Sequence, residues 1–238
     1  MIIYGFNPVI EALRAGRVRR LRVGARADKR TDEVVALAKR SGVAIERTDA
    51  AALERLARGG VHQGIVAELA PARDYSIQEL IERAAPAAPL LIVLDGIEDP
   101  HNLGAILRTA DAAGVDGVIR QARRSAPLDG AVGKTSAGAV AHLKIATVVN
   151  VTRAIEEIKE AGVWTVGLAS DGAAPYDQID LTVPTAIVVG AEGTGLRRLV
   201  REACDHVAAI PMAGRVSSLN VSVAAAIVLF EAVRQRGR

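Results

Sequence analysis

Short apolar runs alternate with segments of helical hydrophobic periodicity over the last two thirds of the chain. The apolar runs cover residues 90–95, 115–119, 144–149, 163–169, 185–190 and 206–211. Continuous apolar strands that alternate with helices are typical of a parallel sheet covered on both faces. The pattern therefore predicts an α/β domain over residues 90–238.

The first 70 residues repeat this alternation with shorter elements. A first helix is predicted to begin with Asn7 and Pro8 as its cap and first turn, followed by strands at 19–24, 43–46 and 64–69 and helices at 31–40 and 49–57. Residues 71–89 hold three prolines around one short amphipathic helix. We therefore expect a linker at 71–89 between a domain at 1–70 and one at 90–238.

The last predicted helix, at about 218–235, is apolar on nearly every side. A helix without a polar stripe is buried by two layers, so we expect a subunit interface as well as the sheet against it. The pattern thus predicts a contact between subunits.

Half of the 238 residues are apolar, enough to bury a sizeable core. Cys204 is the only cysteine and the four histidines lack metal-ligand spacing, so we expect neither an internal disulfide nor a structural metal. No apolar stretch reaches the roughly 18 residues of a membrane span, and the N-terminus lacks the pattern of a signal peptide. The expected compartment is the cytoplasm.

Positive charge is concentrated near the N-terminus. Residues 1–70 hold 13 Lys and Arg against 8 Asp and Glu, whereas residues 71–238 hold 17 against 19. The densest basic cluster consists of Arg14, Arg17, Arg19, Arg20, Arg22, Arg26, Lys29 and Arg30. Because phosphate attraction depends on local charge, this cluster indicates a polyanion-binding surface. A solvated charged face is an equally good interpretation of the charge alone.

Three apolar strands break into a glycine-containing turn before a helix, within residues 90–114, 188–200 and 208–233. The carboxyl ends of parallel strands meet at one edge of a sheet, where ligands bind. We therefore place the functional site where these three breaks converge.

Each break has a functional and a plainer structural interpretation. In the first, Asn102 and Arg108 are six residues apart and both are expected to face the crevice, but the spacing alone favours Asn102 as a helix cap and Arg108 as a solvated side chain. In the second, the glycines from 190 to 195 match neither the P-loop nor the GxGxxG pattern, which disfavours a dinucleotide site. The functional interpretation is a loop that offers backbone donors and one carboxylate, Glu192, and the plainer one is a tight turn.

The third break places polar groups directly before the apolar last helix. Either Ser217 or Ser218 is expected to cap that helix. Asn220 would lie in an otherwise apolar first turn, so its amide needs a partner, either structural or a ligand.

Taken together, three segments resemble motifs of the SpoU (TrmH-like) family of RNA 2′-O-ribose methyltransferases, which belong to the SPOUT class. They are NLGAILRTA at 102–110, VVGAEGTGL at 188–196 and IPMAGRVSSLNVSVAAAI at 210–227. YGFNPVIEAL at 4–13 and VHQGIVAEL at 61–69 are similar to the substrate-binding domain of the family's ribosomal RNA members. The chain is most similar to the type that methylates guanosine ribose in large-subunit ribosomal RNA.

The resemblance implies a fold, a cofactor and a set of site residues. The fold would be an α/β sheet with a trefoil knot, an exception to the rule against knots, with an L30e-like RNA-binding domain at the N-terminus. S-adenosylmethionine would be held in the knot of a homodimer, near Gly190, Ile210, Met212 and Leu219. The implied catalytic residues are Asn102, Arg108, Glu192, Ser218 and Asn220, and RNA would be gripped near Arg17, Arg19, Arg20 and Arg22.

In the family, the arginine that matches Arg108 is proposed to activate the ribose hydroxyl. A guanidinium stays protonated under nearly all conditions in proteins, so we expect Arg108 to bind the adjacent phosphate and stabilise developing alkoxide charge instead. Cys204 lies outside the three breaks and is expected to pack in the core.

Other functions stay open at this point. A transfer RNA methyltransferase shares the catalytic motifs, and a role in antibiotic resistance would need the same chemistry at another ribosomal nucleotide. A non-catalytic RNA-binding or ribosome-assembly protein that keeps the fold, and a nucleotide-dependent oxidoreductase that uses the loop at 190–195, are the alternatives from other classes.

Overall fold

The computed structural model describes residues 1–25 and 28–237, so Arg26 of the basic cluster lies outside the described residues. Internal contacts divide the chain into two compact units. The first unit contains Met1–Ala72, Leu103–Arg108 and Pro127–His142, and the second contains Arg73–Asn102, Thr109–Ala126 and the residues from Leu143 onward. The domain boundaries expected at 70 and 90 stay a prediction.

The strands of the described residues are β1 (Ile2–Tyr4), β2 (Val18–Val23), β3 (Ala44–Arg47), β4 (Ile65–Leu69), β5 (Leu90–Asp95), β6 (Gly117–Gln121), β7 (Ile145–Val148), β8 (Trp164–Leu168), β9 (Ala174–Pro175), β10 (Thr185–Gly190) and β11 (His206–Ala209). The α-helices are α1 (Phe6–Arg14), α2 (Lys29–Arg40), α3 (Ala50–Ala57), α4 (Ile77–Glu82), α5 (Pro100–Ala112), α6 (Gly130–Thr135), α7 (Val151–Glu160), α8 (Arg198–Ala203) and α9 (Val221–Gln235).

The first unit is built on a four-stranded sheet with the order β1-β4-β2-β3. β4 is antiparallel to both β1 and β2, whereas β2 and β3 are parallel. Alternate residues of β2, such as Leu21 and Val23, pack with α1 and α2 in one apolar core. Tyr4 and Val66 point to the other face and pack against Leu53 of α3.

The second unit is built on a seven-stranded sheet with the order β7-β6-β5-β10-β8-β11-β9, and every strand pair in it is parallel. The central strands β5 and β10 are buried at every position. Apolar residues of α4 and α7 cover one face, and α9 contacts β10. The predicted α/β architecture with a parallel sheet is therefore confirmed.

The start of α1 differs from the prediction. α1 begins at Phe6, and Gly5 occupies the cap position at a φ of 87° without a side chain to cap the helix. The amide of Phe6 donates instead to Gln63 Oε1 at 3.1 Å. Asn7 therefore lies inside the first turn, where its Oδ1 accepts a hydrogen bond from Arg30 at 2.6 Å, and its predicted capping role is wrong.

The predicted short helix within residues 71–89 corresponds to α4. Ser76 Oγ accepts from the amide of Glu79 at 3.1 Å, and Glu79 accepts from the amide of Ser76 at 2.9 Å, which forms a complete capping box. Ile77 and Leu80 are buried in the core of the second unit. This helix therefore contributes to packing and is not only a spacer.

Candidate active site

The strands that lead into the three breaks end at the same edge of the parallel sheet. β5 and β10 are neighbours, with Gly190 in register with Asp95 at their carboxyl ends. β11 runs parallel to them and is separated from β10 only by β8. The convergence expected from the sequence is therefore present in the second unit.

Asn102 lies in the first turn of α5 but does not cap it. Asp99 is the cap residue, and its carboxylate accepts from the amides of His101 at 3.0 Å and Asn102 at 3.3 Å. The side chain of Asn102 is thus not used to cap the helix and can bond residues elsewhere in the fold. The residue is only 6% exposed. The plainer interpretation, in which Asn102 caps the helix, is wrong.

Asn102 joins the other two breaks through hydrogen bonds. Its Nδ2 donates to Glu192 Oε2 at 2.7 Å, and its Oδ1 accepts from Nδ2 of Asn220 at 2.9 Å. Asn220 Oδ1 in turn accepts from the backbone amide of Ser222 at 2.9 Å. The partner that the Asn220 amide was expected to need is therefore Asn102. We call Asn102, Glu192 and Asn220 the amide–carboxylate triad.

The cap of α9 is Asn220, since the helix begins at Val221 and not at 218 as predicted. Ser217 and Ser218 lie in the irregular segment before it and are exposed. The prediction that one of these serines caps the helix is therefore wrong. Asn220 uses its Oδ1 for the cap and its Nδ2 for Asn102, so both halves of the amide are paired.

The loop that carries Glu192 folds back tightly on the end of β10. The amide of Gly195 donates to the carbonyl of Ala191 at 2.8 Å. A side chain at Gly190 would place its Cβ 2.2 Å from the carbonyl carbon of Gly195, so only glycine fits there. Gly195 has a φ of 65°, which also favours glycine. These glycines set the position of Glu192.

An ion pair that the sequence did not predict holds the C-terminal end of this loop. Arg197 donates to Asp95 from its backbone amide at 3.1 Å and from Nε at 2.7 Å. Its Nη2 donates to Gln121 at 3.1 Å. The side chain of Asp95 is completely buried. The only signal in the sequence is that an acidic residue closes an apolar strand, and such a residue needs a partner.

A cavity of about 290 Å³ opens beside the triad. All four residues predicted to hold a cofactor line it, namely Gly190, Ile210, Met212 and Leu219. Glu192 and Ser218, from the predicted catalytic set, line it as well. Most of the remaining wall is apolar or glycine. The structure thus places six of the nine predicted catalytic and cofactor residues around one cavity.

Arg108 differs from Asn102 in its burial, although both lie on α5. A separation of six residues corresponds to about 120° around an α-helix and about 9 Å along it. Asn102 is buried, whereas Arg108 is exposed. That both side chains face the crevice therefore stays a prediction.

The four arginines predicted to bind RNA differ in their pairing. Arg22 lies 3.2 Å from Glu46 and 3.6 Å from Glu68, and Arg20 lies 3.7 Å from Glu46. Arg17 and Arg19 have no carboxylate partner within the described part of the chain. Positive charge on this side of the first unit is therefore partly neutralised by its own sheet.

Cys204 packs against the core of the second unit, next to Val200. Burial, together with the charge of Asp205, raises the pKa of its thiol to about 12. Such a thiol is neutral near pH 8 and is a poor nucleophile, which agrees with a packing role. Over residues 1–25 and 28–237, no helix is long and apolar enough to cross a bilayer, and no three His, Cys, Asp or Glu residues group as metal ligands.

Comparison with known proteins assigns the chain to a family. The family model described as the SpoU rRNA Methylase family matches residues 89–230, and the model described as RNA 2′-O ribose methyltransferase substrate binding matches residues 2–75. The chain is 46% identical to a protein of Vibrio cholerae and 45% identical to one of Pseudomonas aeruginosa, both named 23S rRNA (guanosine-2′-O-)-methyltransferase RlmB. These matches cover 99% and 98% of this chain and 97% and 96% of the relatives.

Among solved structures, the chain resembles the SpoU methyltransferase AviRb from Streptomyces viridochromogenes, crystallised in complex with AdoMet. The TM-score is 0.82 at 28% sequence identity, and the match covers 99% of this chain and 90% of AviRb. Since both family models, the relatives and the fold agree with the motifs around the cavity, the chain belongs to the SpoU rRNA methylase family.

Proposed function

We propose that this protein transfers a methyl group from S-adenosylmethionine to the 2′-hydroxyl of a guanosine ribose in 23S ribosomal RNA. The observation that carries the proposal is the amide–carboxylate triad, whose Glu192 lines a ligand-sized cavity. The names of the relatives from Vibrio and Pseudomonas support the choice of nucleotide and RNA, because they match this chain over nearly its full length.

The cavity fits a nucleoside-like cofactor in size and lining. Its volume lies near the lower end of the roughly 300–1,000 Å³ that is typical of small-molecule sites. Ile210, Met212 and Leu219 offer apolar contacts to a flat base, and Gly190 leaves backbone groups accessible. We propose that these four residues hold S-adenosylmethionine, which supplies an electrophilic methyl group on its sulfonium when bound.

The protein's own groups would position the hydroxyl and balance charge. Asn102 and Asn220 join the three breaks by hydrogen bonds, which would hold Glu192 in position before RNA arrives. Glu192 and Ser218 lie at this wall. We propose that Arg108 binds the phosphate next to the target ribose and stabilises the charge that develops on the attacking oxygen, while the hydroxyl proton passes to water.

Three finer features of the fold belong to the same proposal. We propose that the C-terminal segment forms a trefoil knot, which the position of β10 between β5 and β8 supports. We propose an L30e-like architecture for the N-terminal sheet and its helices. We also propose a homodimer through α9, because Val223 and Phe230 on this helix are 46% and 48% exposed in the single chain.

The N-terminal unit would contact RNA mainly by charge. Arg17 and Arg19 are available for phosphate contacts, whereas Arg20 and Arg22 must share their charge with Glu46 and Glu68. Ribosomal RNA as substrate also implies a cytoplasmic site of action.

The test is methylation of unmodified 23S ribosomal RNA made by transcription in vitro. We expect radiolabel from S-adenosylmethionine to enter the RNA, and nuclease digestion followed by mass spectrometry should place it on one 2′-O-methylguanosine. Calorimetry should show binding of S-adenosylmethionine and none of NAD. Label found only in transfer RNA, or cofactor binding without any transfer to either RNA, would overturn the proposed function.

A further inference from the structure

Two neighbouring arginines follow β6 on a short turn of the second unit. Arg123 and Arg124 are both exposed. Neither guanidinium lies within ion-pair distance of a carboxylate among the residues that the structure describes. By contrast, the arginines in the segment after β10 are paired with carboxylates: Arg197 with Asp95, Arg198 with Glu202 and Arg201 with Asp171. Arg123 and Arg124 thus carry uncompensated charge at the carboxyl edge of the sheet.

A buried arginine at the end of β6 bonds the residues that follow Arg123 and Arg124. Arg120 is only 7% exposed, and its Nη2 donates to Ser125 Oγ at 3.0 Å and to the carbonyl of Ala126 at 2.8 Å. Its Nε is buried without a hydrogen-bond partner. Burial lowers the pKa of Arg120, partly offset by the charge of Asp74. Arg120 thus connects the turn, through Ser125 and Ala126, to the end of β6.

The same turn is attached to the segment that leads into the triad. The amide of Ala126 donates to the carbonyl of Ile97 at 2.9 Å. The carbonyl oxygen of Arg124 lies 4.0 Å from where a Cβ on Gly96 would be. Gly96 and Ile97 line a second cavity of about 290 Å³ together with Asn102 and Glu192 of the triad. The turn that carries Arg123 and Arg124 therefore lies beside the segment that lines the candidate active site.

The backbone of the turn is constrained as well. Arg124 has a φ of 54°, in the left-handed region that a non-glycine residue occupies at a cost of about 1–2 kcal/mol. Such a conformation persists only where the surroundings fix it, here through Arg120 and Ile97. These contacts fix the backbone of the turn that carries Arg123 and Arg124.

We propose that Arg123 and Arg124 bind the phosphate backbone of the RNA strand that carries the methylated ribose. This inference rests on the proposed function for the identity of the strand. Residues 71–238 hold 17 Lys and Arg against 19 Asp and Glu, so their net charge does not by itself attract RNA to the triad. A preformed pair of arginines on the rim of the site provides that attraction. Arginine is suited to it because its planar fork pairs with phosphate oxygens.

The test compares binding of unmodified 23S ribosomal RNA by two double variants at several salt concentrations. In R123Q/R124Q we expect the Kd for RNA to rise at least about tenfold at low salt, and the slope of log Kd against log salt to fall by about 1 to 2. Calorimetry should give an unchanged Kd for S-adenosylmethionine. The control R83Q/K144Q removes two charges that also have no carboxylate partner among the described residues, from the end of α4 and from the residue before β7, away from the carboxyl edge, and should change the salt slope much less.

A third variant separates charge from the shape of the turn. R123K/R124K keeps the charge at the same backbone positions, and it should recover most of the RNA affinity. If R123Q/R124Q keeps the wild-type salt slope, or if the lysine variant binds as weakly as the glutamine variant, the inference is wrong. These are binding measurements, so they decide the role of the two arginines even if the wild-type protein fails to methylate the RNA, an outcome that would overturn the proposed function alone.

Discussion

Asn220 donates its side-chain amide to the side-chain oxygen of Asn102 at 2.9 Å, across 118 residues of sequence. The direction of this bond is fixed from both ends. Glu192 can only accept when it is ionised, so Asn102 must present its NH₂ to Glu192 and its oxygen to Asn220. At the other end the amide of Ser222 can only donate, so Asn220 must present its oxygen there. The triad therefore has one consistent polarity.

Replacing the NH₂ donor of Asn102 by a second acceptor should impair catalysis in a pH-dependent way. Asn102→Asp places a second carboxylate at hydrogen-bond distance from Glu192, and like charges so close raise the pKa of the pair. We expect methyl transfer to fall about 100-fold at pH 8 and to recover relative to wild type as the pH is lowered to 6, because a shared proton restores the bond. Single-turnover rates across this range are the measurement. Asn102→Ala, which has no carboxyl group to protonate, should show the loss without the recovery.

Glu192 offers a test of geometry against charge. Glu192→Gln can still accept a hydrogen bond from Asn102, so the loop should keep its position, and we expect the single-turnover rate to stay within about tenfold of wild type. Glu192→Ala removes the acceptor and should cost about 100-fold, which corresponds to about 2.7 kcal/mol in the barrier. Equal losses in the two variants would show that the negative charge itself is needed.

Gly190 should be essential for the cofactor cavity. Gly190→Ala brings a Cβ to 2.2 Å from the carbonyl carbon of Gly195, so the loop that carries Glu192 must shift. We expect the Kd for S-adenosylmethionine, measured by calorimetry, to rise at least about 100-fold. Gly214→Ala is the matched control, because nothing lies within 4 Å of the added Cβ and the backbone there is outside the left-handed region. That variant should bind within about threefold of wild type.

The central sheet was predictable because strands that are buried on both faces need an apolar residue at nearly every position. β5 and β10 are buried at every position, and their runs at 90–95 and 185–190 match the observed strands. β1 was missed because its three residues are too few to form a period. The start of α1 was misplaced because its first amide is paired by Gln63, which lies 57 residues further along the chain.

The sequence pointed to residues that the structure brings together, but it did not predict the hydrogen bonds between them. The family motifs pointed to Asn102, Glu192 and Asn220, whereas local spacing favoured a helix cap for Asn102. That local rule failed because Asp99 occupies the cap and frees the asparagine for partners 90 and 118 residues away. The pairing of Asp95 with Arg197 left no local pattern, because 102 residues separate them.

The ion pair of Arg197 with Asp95 should contribute strongly to stability. Arg197→Met removes the side-chain donors of a completely buried carboxylate but keeps the backbone amide that bonds it, and the Arg197 side chain is 43% exposed, so we expect the free energy of unfolding to fall by about 1–3 kcal/mol. Adding Asp95→Asn should restore part of it, since no buried charge then remains. Arg198→Met removes a solvent-exposed pair with Glu202 and should change stability by less than about 0.5 kcal/mol. Urea unfolding of the four proteins is the measurement, and similar losses in both single variants would contradict this account.

Cys204 should make stability depend on pH in the alkaline range. Its thiol pKa is raised from 9.0 to about 12 in the folded protein, chiefly by burial. Below pH 9 the thiol is neutral in both states, so its packing contributes fully. Between pH 9 and 12 only the unfolded state ionises, and the free energy of unfolding should fall by about 1.4 kcal/mol per pH unit from this group. Other groups titrate there too, so the quantity to compare is the difference between wild type and Cys204→Ser, whose hydroxyl stays neutral. A difference that is constant from pH 8 to 11 would mean that the thiol is not held in its neutral form by the fold.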